Sequence, residues 1–290
     1  MSMVLQQFNW VHILVLLTIP LFLISSWLLL KNKSQGTKDK FMWVLMIIVA
    51  LAYIITFTID TATDADHRAR ILARLPLHLC GINMFLYPLC FALRSKGARL
   101  KHIVFGYMYF VGSPGALLGS LMPPGPDDII GQSIFVYNSI SYFVRHNLIF
   151  IIPVLLVVLG YYKPKAKDMP IAAGTILGLA TVMHVVNVVF SAIGGYRVNY
   201  FFTRFADNEI LEIFWNIVPV ELLYLYTLVV VLIPIFAVFY FASFLKSGKS
   251  LVFLLLSTFA LLLSPILAIY YLVGKVKSHI LTHENKEHDP

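Results

Sequence analysis

The sequence predicts an all-α protein, a polytopic transmembrane bundle of about eight helices, and three features carry that prediction. Hydrophobic residues make up 59% of the 290 and charged residues only 12%. With a mean hydropathy of +0.83, the chain is suited to lipid as its solvent. Apolar runs long enough to cross about 30 Å of hydrocarbon recur along it. The connections between those runs are short and hold most of the charge.

The first run, near residues 11–30, lacks a positively charged leader and is expected to span the membrane as a helix, not to be cleaved as a signal. The second covers 41–59. The third, 76–93, opens in the stretch RLPLHLCGIN, Arg74 to Asn83, with Pro76 expected in the first helical turn, where a missing N–H costs little. That start would set Cys80 about 6 Å below the helix end. The fourth run, 102–122, enters the stretch GSPGALLGSLMPPGPDD, Gly112 to Asp128. Pro114 and Gly115 are expected to break the helix there and let backbone line a cavity. No GxSxG pattern surrounds Ser113, so it is a poor nucleophile candidate. Runs at 142–162, 170–193, 213–240 and 250–273 complete the set. Residues 1–275 are expected to form a single integral membrane domain and 276–290 a short polar tail.

A net charge of +8 would suit nucleic acid if it were gathered on one soluble face, but here it sits in alternate connections. Lys31, Lys33, Lys38 and Lys40, then Arg94, Lys96, Arg99 and Lys101, then Lys163, Lys165 and Lys167, then Lys246 and Lys249 fall on one side. Asp60, Asp64, Asp66, Asp127, Asp128, Asp207, Glu209 and Glu212 fall on the other. Cation-rich loops stay in the cytoplasm. The expectation is a multi-pass protein of the cell membrane with both termini extracytoplasmic and no nucleic-acid partner.

Polar residues inside spans are costly and mark sites by default. Cys80, Asn83 and Tyr87 share one face of the third run; Thr181, His184, Asn187 and Ser191 share one face of the sixth. Arg145, His146 and Asn147 lie at a similar depth on the fifth, and Trp215, Asn216 and Glu221 enter the seventh. Cys80 and Cys90 are ten residues apart on one helix, about 15 Å, too far to form a disulfide with each other. Cys80, near a helix N-terminus with histidines at its depth, is the candidate nucleophile. His146 is the candidate general base, and Arg145 beside it suits an anion. His78 would project to the opposite side of a continuous helix. His184 and Glu221 have orienting or structural roles open to them. His78, His146, His184 and Glu221 show no HExxH or paired-ligand spacing, so neither a metal site nor a cofactor is expected.

The run Leu75-Pro76-Leu77-His78-Leu79-Cys80, the later Phe143-Val144-Arg145-His146 and the pair Asn199-Tyr200 resemble the YwaF-type bacterial integral membrane proteins. These are similar to the animal transmembrane protein 164 group, acyltransferases that remodel ether phospholipids through an acylated cysteine. The resemblance spans Tyr53 to Tyr240 and implies a six-helix core plus flanking helices, with the eighth run outside it. It also implies Cys80 as nucleophile and His146 as its base. Both readings lead to a transacylase that takes a fatty acyl group from a membrane phospholipid through a Cys80 thioester at the outer-leaflet boundary. The acceptor, whether lysolipid, lipoprotein or polymer, is open. His78, Asn83, Arg145, His184, Asn187, Asn199, Tyr200 and Glu221 are the expected supporting residues. The competing reading is a non-enzymatic transporter or lipid-binding protein that uses the same outer polar cavity.

Overall fold

A computed structural model describes residues 3–125, 129–207 and 209–242. In chain order, α1 is Trp10–Leu30, α2 Gln35–Thr63, α3 Ala65–Ala69, α4 Ile71–Arg74 and α5 Leu79–Leu93. Then α6, Ala98–Tyr107, runs through a π-helical turn, Met108–Gly112, into α7, Ser113–Leu121. α8 is Tyr137–Val158 and α9 Asp168–Gly194; a 3-10 turn at Tyr200–Phe202 precedes α10, Glu209–Ile217, α11, Leu223–Tyr226, and α12, Val229–Ala242. Among the described residues there is no sheet, only an isolated bridge between Val4 and Ser133. Contacts divide the chain into one compact unit ending at Leu228 and a second beginning at Val229, whose described part is α12.

Five of these segments, α1, α2, the α6–α7 rod, α8 and α9, are long and apolar enough to cross a membrane. Caps start the first two: Asn9 Oδ1 accepts from His12 N at 2.9 Å, and Ser34 Oγ from Thr37 N at 3.4 Å. Leu21 and Leu29 on α1, Ile47 on α2 and Val185 on α9 stand outward as a lipid-facing surface requires. Inward, Met42, Met46, Phe91, Phe105, Phe110 and Ile152 are almost wholly buried. Hydroxyls join α2 to α8 across that core, with Thr56 Oγ1 and Ser141 Oγ 2.5 Å apart and Tyr137 OH donating to Thr56 Oγ1 at 2.9 Å.

Three expectations about helices are corrected. The third helix begins at Leu79, not Pro76. Leu75 precedes a proline and is extended, at φ −60° and ψ 154°, and Leu77 N donates to Leu75 O at 2.8 Å in a tight turn. Pro114 does not break the fourth helix. A proline clashes with the carbonyl four residues back, and the wider π turn just before it absorbs that conflict, leaving Pro114 in the first turn of α7. The seventh run is not one helix: α10 ends at Ile217, Pro219 follows, and Leu222 takes φ +63°. The eighth run, 250–273, and the tail, 276–290, lie outside the described residues.

One end of the first unit gathers the cation-rich connections. Asp39 accepts from Arg94 Nη2 and from Tyr161 OH, each at 2.6 Å, which ties the α1–α2, α5–α6 and α8–α9 junctions together. Burial and that carboxylate both hold the Tyr161 phenol above its usual range, so it stays a donor. At the other end lie the N-terminal segment, the 64–78 segment and the 195–222 segment. α5 is only 15 residues, about 22 Å, so it begins below this end and leaves room over its N-terminus.

Candidate functional site

That room is a cavity of about 380 Å³ lined from α2, the 67–78 segment, α5 and α8. Cys80, His78, Arg145 and His146 all face it, together with Tyr53, Asp60, His67 and Tyr142. Cys80 is the second residue of α5 and only half-buried, whereas Cys90, nearly three turns on, is buried in the core. Gly81 has a reason in packing: a Cβ there would lie 2.8 Å from the Pro76 carbonyl oxygen. Only glycine lets the 75–78 turn fold this tightly over the start of α5.

His78 caps that start with its backbone, not its side chain, so the ring is free of helical phase. Its ring meets Tyr200 and Phe202, with centroids 5.2 and 5.3 Å away. The expectation that it points away from the cysteine's side is therefore corrected, since both line one cavity.

His146 is held from three directions. Its Nδ1 lies 2.9 Å from the Tyr142 carbonyl, its ring stacks on Tyr142 with centroids 4.0 Å apart, and Gly119 lies so near that an added Cβ would fall 2.5 Å from Cδ2. A carbonyl only accepts, so Nδ1 carries the proton and Nε2 is the free lone pair. Arg145 donates from Nε to Ser141 O at 3.0 Å and lies over Tyr53, 5.4 Å from its centroid. Among the described residues no carboxylate comes within ion-pair distance of it. Its charge extends to Cys80, Tyr53 and Asp60.

Other expected site residues fall elsewhere. Asn83 is fully buried beneath Cys80; its Oδ1 accepts from Tyr107 OH at 2.5 Å and its Nδ2 has no partner. Asn187 locks the 195–222 segment: Nδ2 donates to Tyr200 O and Thr203 Oγ1 at 2.8 Å, and Oδ1 accepts from Tyr200 N at 2.7 Å. His184 Nδ1 is 3.3 Å from Thr203 Oγ1. Asn199 binds Asp207, Phe205 O and Arg204 N. Glu221 pairs with Arg204 Nε at 3.2 Å. Tyr200 donates to Leu72 O at 2.6 Å and backs His78. These five brace the roof of the site and do not line the cavity.

Sequence reasoning missed Asp60, His67, Tyr53 and Tyr142 as cavity residues. Tyr142 had a signal, one helical turn before His146 on the same face. The second apolar run ends at 59, which by sequence alone puts Asp60 in a connection, whereas α2 continues to Thr63. Nothing in the sequence pointed to His67. Among the described residues no three His, Cys, Asp or Glu side chains gather as a metal site would need.

The geometry thus defines a polytopic helical membrane protein in which a thiol and an imidazole face one cavity. Residues 6–240 match the TMEM164 family, and the chain belongs to that family. The match extends well upstream of Tyr53, so α1 and the start of α2 are part of what the family shares. Neither a search of curated proteins nor one of solved structures gives a significant match.

Proposed function

We propose that this protein is a transacylase of the cell membrane, with both termini outside, that moves a fatty acyl group from a phospholipid through a thioester on Cys80. The observation that carries the reading is that Cys80 and His146, from different helices, line one cavity, with His146 Nδ1 taken by the Tyr142 carbonyl and Nε2 left for the thiol. Nε2 takes the Sγ proton, and the thiolate attacks the ester carbonyl carbon. The carbon–oxygen bond breaks, and the departing lysolipid oxygen takes the proton from Nε2. In the second half, an acceptor hydroxyl or amine gives its proton to Nε2 and attacks the thioester; Sγ leaves and is reprotonated. Two easier displacements replace one difficult one. The free N–H groups in the first turn of α5 suit the oxyanion. Arg145, unpaired and beside the cavity, suits the donor phosphate.

Intact mass spectrometry of the purified protein after incubation with phospholipid vesicles tests this. An acyl adduct mapped to Cys80, absent in Cys80→Ala, is the expected result. Full lipid-handling activity in Cys80→Ala with no adduct would establish the transporter or lipid-binding reading instead.

A further inference from the structure

His67 is 8% exposed, lines the cavity, and its Nε2 has no hydrogen-bond partner. Leaving a buried polar atom unpaired is costly, so such an atom in a cavity wall calls for a ligand group. The ring is fixed edge to face on Phe57, centroids 5.3 Å apart. One turn along α2 from Phe57 stands Asp60, partly buried, lining the same cavity, with no cation in ion-pair distance among the described residues. Arg145 lines the same space; its Nε is taken by Ser141 O, and no carboxylate lies within ion-pair distance of it among the described residues. A carboxylate wants N–H or O–H donors, the unpaired imidazole nitrogen wants a hydrogen-bonding partner, and the guanidinium wants an anion.

Resting on the transacylase reading, we propose that Asp60, His67 and Arg145 form a headgroup subsite for a phosphodiester bearing a hydrogen-bond donor, and that it discriminates against headgroups without one. A primary ammonium and a glycerol hydroxyl share this chemistry. A trimethylammonium group can satisfy Asp60 electrostatically, but its methyl groups leave His67 Nε2 unpaired. Sites built to hydrogen-bond a substrate group reject the analogue that lacks it more sharply than apolar pockets reject a methylene. One unpaired buried group corresponds to roughly a 10- to 100-fold preference.

The test compares the full chain in vesicles of dioleoyl phosphatidylethanolamine, phosphatidylglycerol and phosphatidylcholine, following the Cys80 adduct by intact mass. In parallel, native mass spectrometry measures retention of each lipid by Cys80→Ala, which needs no chemistry. The ethanolamine lipid, the glycerol lipid or both should exceed the choline lipid roughly 10- to 100-fold. Preference for ethanolamine alone assigns the donor as ammonium, and Asp60→Asn should then abolish that preference. Preference for both assigns a neutral donor as sufficient. His67→Phe, which keeps the ring on Phe57, should bring the choline lipid level with the others. Equal retention of all three lipids by Cys80→Ala, or an undiminished preference in His67→Phe, overturns the subsite. Selective retention with no adduct on Cys80 would uphold the subsite and sink the transacylase.

Discussion

His146 and Tyr142, one turn apart on α8, hold each other through both ring and backbone: the rings stack 4.0 Å apart at 28°, and Nδ1 donates to the Tyr142 carbonyl. The stack and the hydrogen bond fix the tautomer and the ring's rotation together. Gly119 leaves no spare room beside the ring: a Cβ there would fall 2.5 Å from His146 Cδ2 and 3.0 Å from Nε2.

Gly119→Ala is therefore expected to push the ring off Tyr142 while leaving the helices in place. Displacements of about 1 Å at a reacting group cost on the order of 100-fold in rate. The Cys80 adduct should form roughly 10- to 100-fold more slowly, with an unchanged circular dichroism spectrum. A rate within about twofold of wild type, given overpacking costs of about 1–3 kcal/mol, would show that His146 is not held as described.

The π turn has its own test at Gly112, where an added Cβ would collide with the Tyr87 hydroxyl. That hydroxyl donates to Ile149 O at 3.1 Å, bridging α5 to α8. Gly112→Ala should lower the melting temperature in detergent. Tyr87→Phe alone forfeits one hydrogen bond, about 1 kcal/mol, but removes the obstructing oxygen. The double variant should therefore be more stable than the sum of the two losses. Strict additivity would mean the two residues do not meet.

Much of this fold was legible because hydropathy reports lipid contact directly, and α1, α2, α8 and α9 fall close to the runs that announced them. What hydropathy cannot report is backbone continuity. Val218-Pro219-Val220 is as apolar as a helix interior, yet the missing N–H of Pro219 ends α10 there. The site was legible to the extent that its chemistry is local. Cys80, Arg145 and His146 carry rare groups at countable depth, but Asp60 and His67 reach the cavity only because α5 starts low and the 64–78 segment folds over it. Periodicity also overstated the α9 stripe: its polar face is regular because it grips a loop.

Asn187 and Glu221 separate bracing from chemistry. Asn187→Ala leaves three buried backbone and hydroxyl groups short of partners and should cost about 2–4 kcal/mol, read as a lower melting temperature. Glu221 and Arg204 are half-exposed, with side chains 42% and 26% accessible, so Glu221→Gln should cost under about 1 kcal/mol. In neither variant should the protein that remains folded lose its capacity for the Cys80 adduct. Abolition of the adduct in a well-folded Glu221→Gln would move Glu221 into the chemistry.

Asp39 binds Arg94 and Tyr161 at one end of the unit, so the junctions holding Lys33, Lys96 and Lys163 share that end. In the proposed orientation, which follows the positive-inside rule, that end faces the cytoplasm. Single cysteines at these three positions, in a background with Cys80 and Cys90 replaced by alanine, should resist a membrane-impermeant maleimide in intact cells and react after lysis. A cysteine at Asp64 should react in both. Opposite sidedness of any two of the three lysine positions would contradict the Asp39 junction, whereas uniform labelling from outside would keep the fold and invert the orientation. The inverted orientation would also carry Cys80 to the inner leaflet and change which lipids it meets. Asp39→Asn should loosen the junction by about 1–3 kcal/mol, because Arg94, only 24% accessible, loses its countercharge.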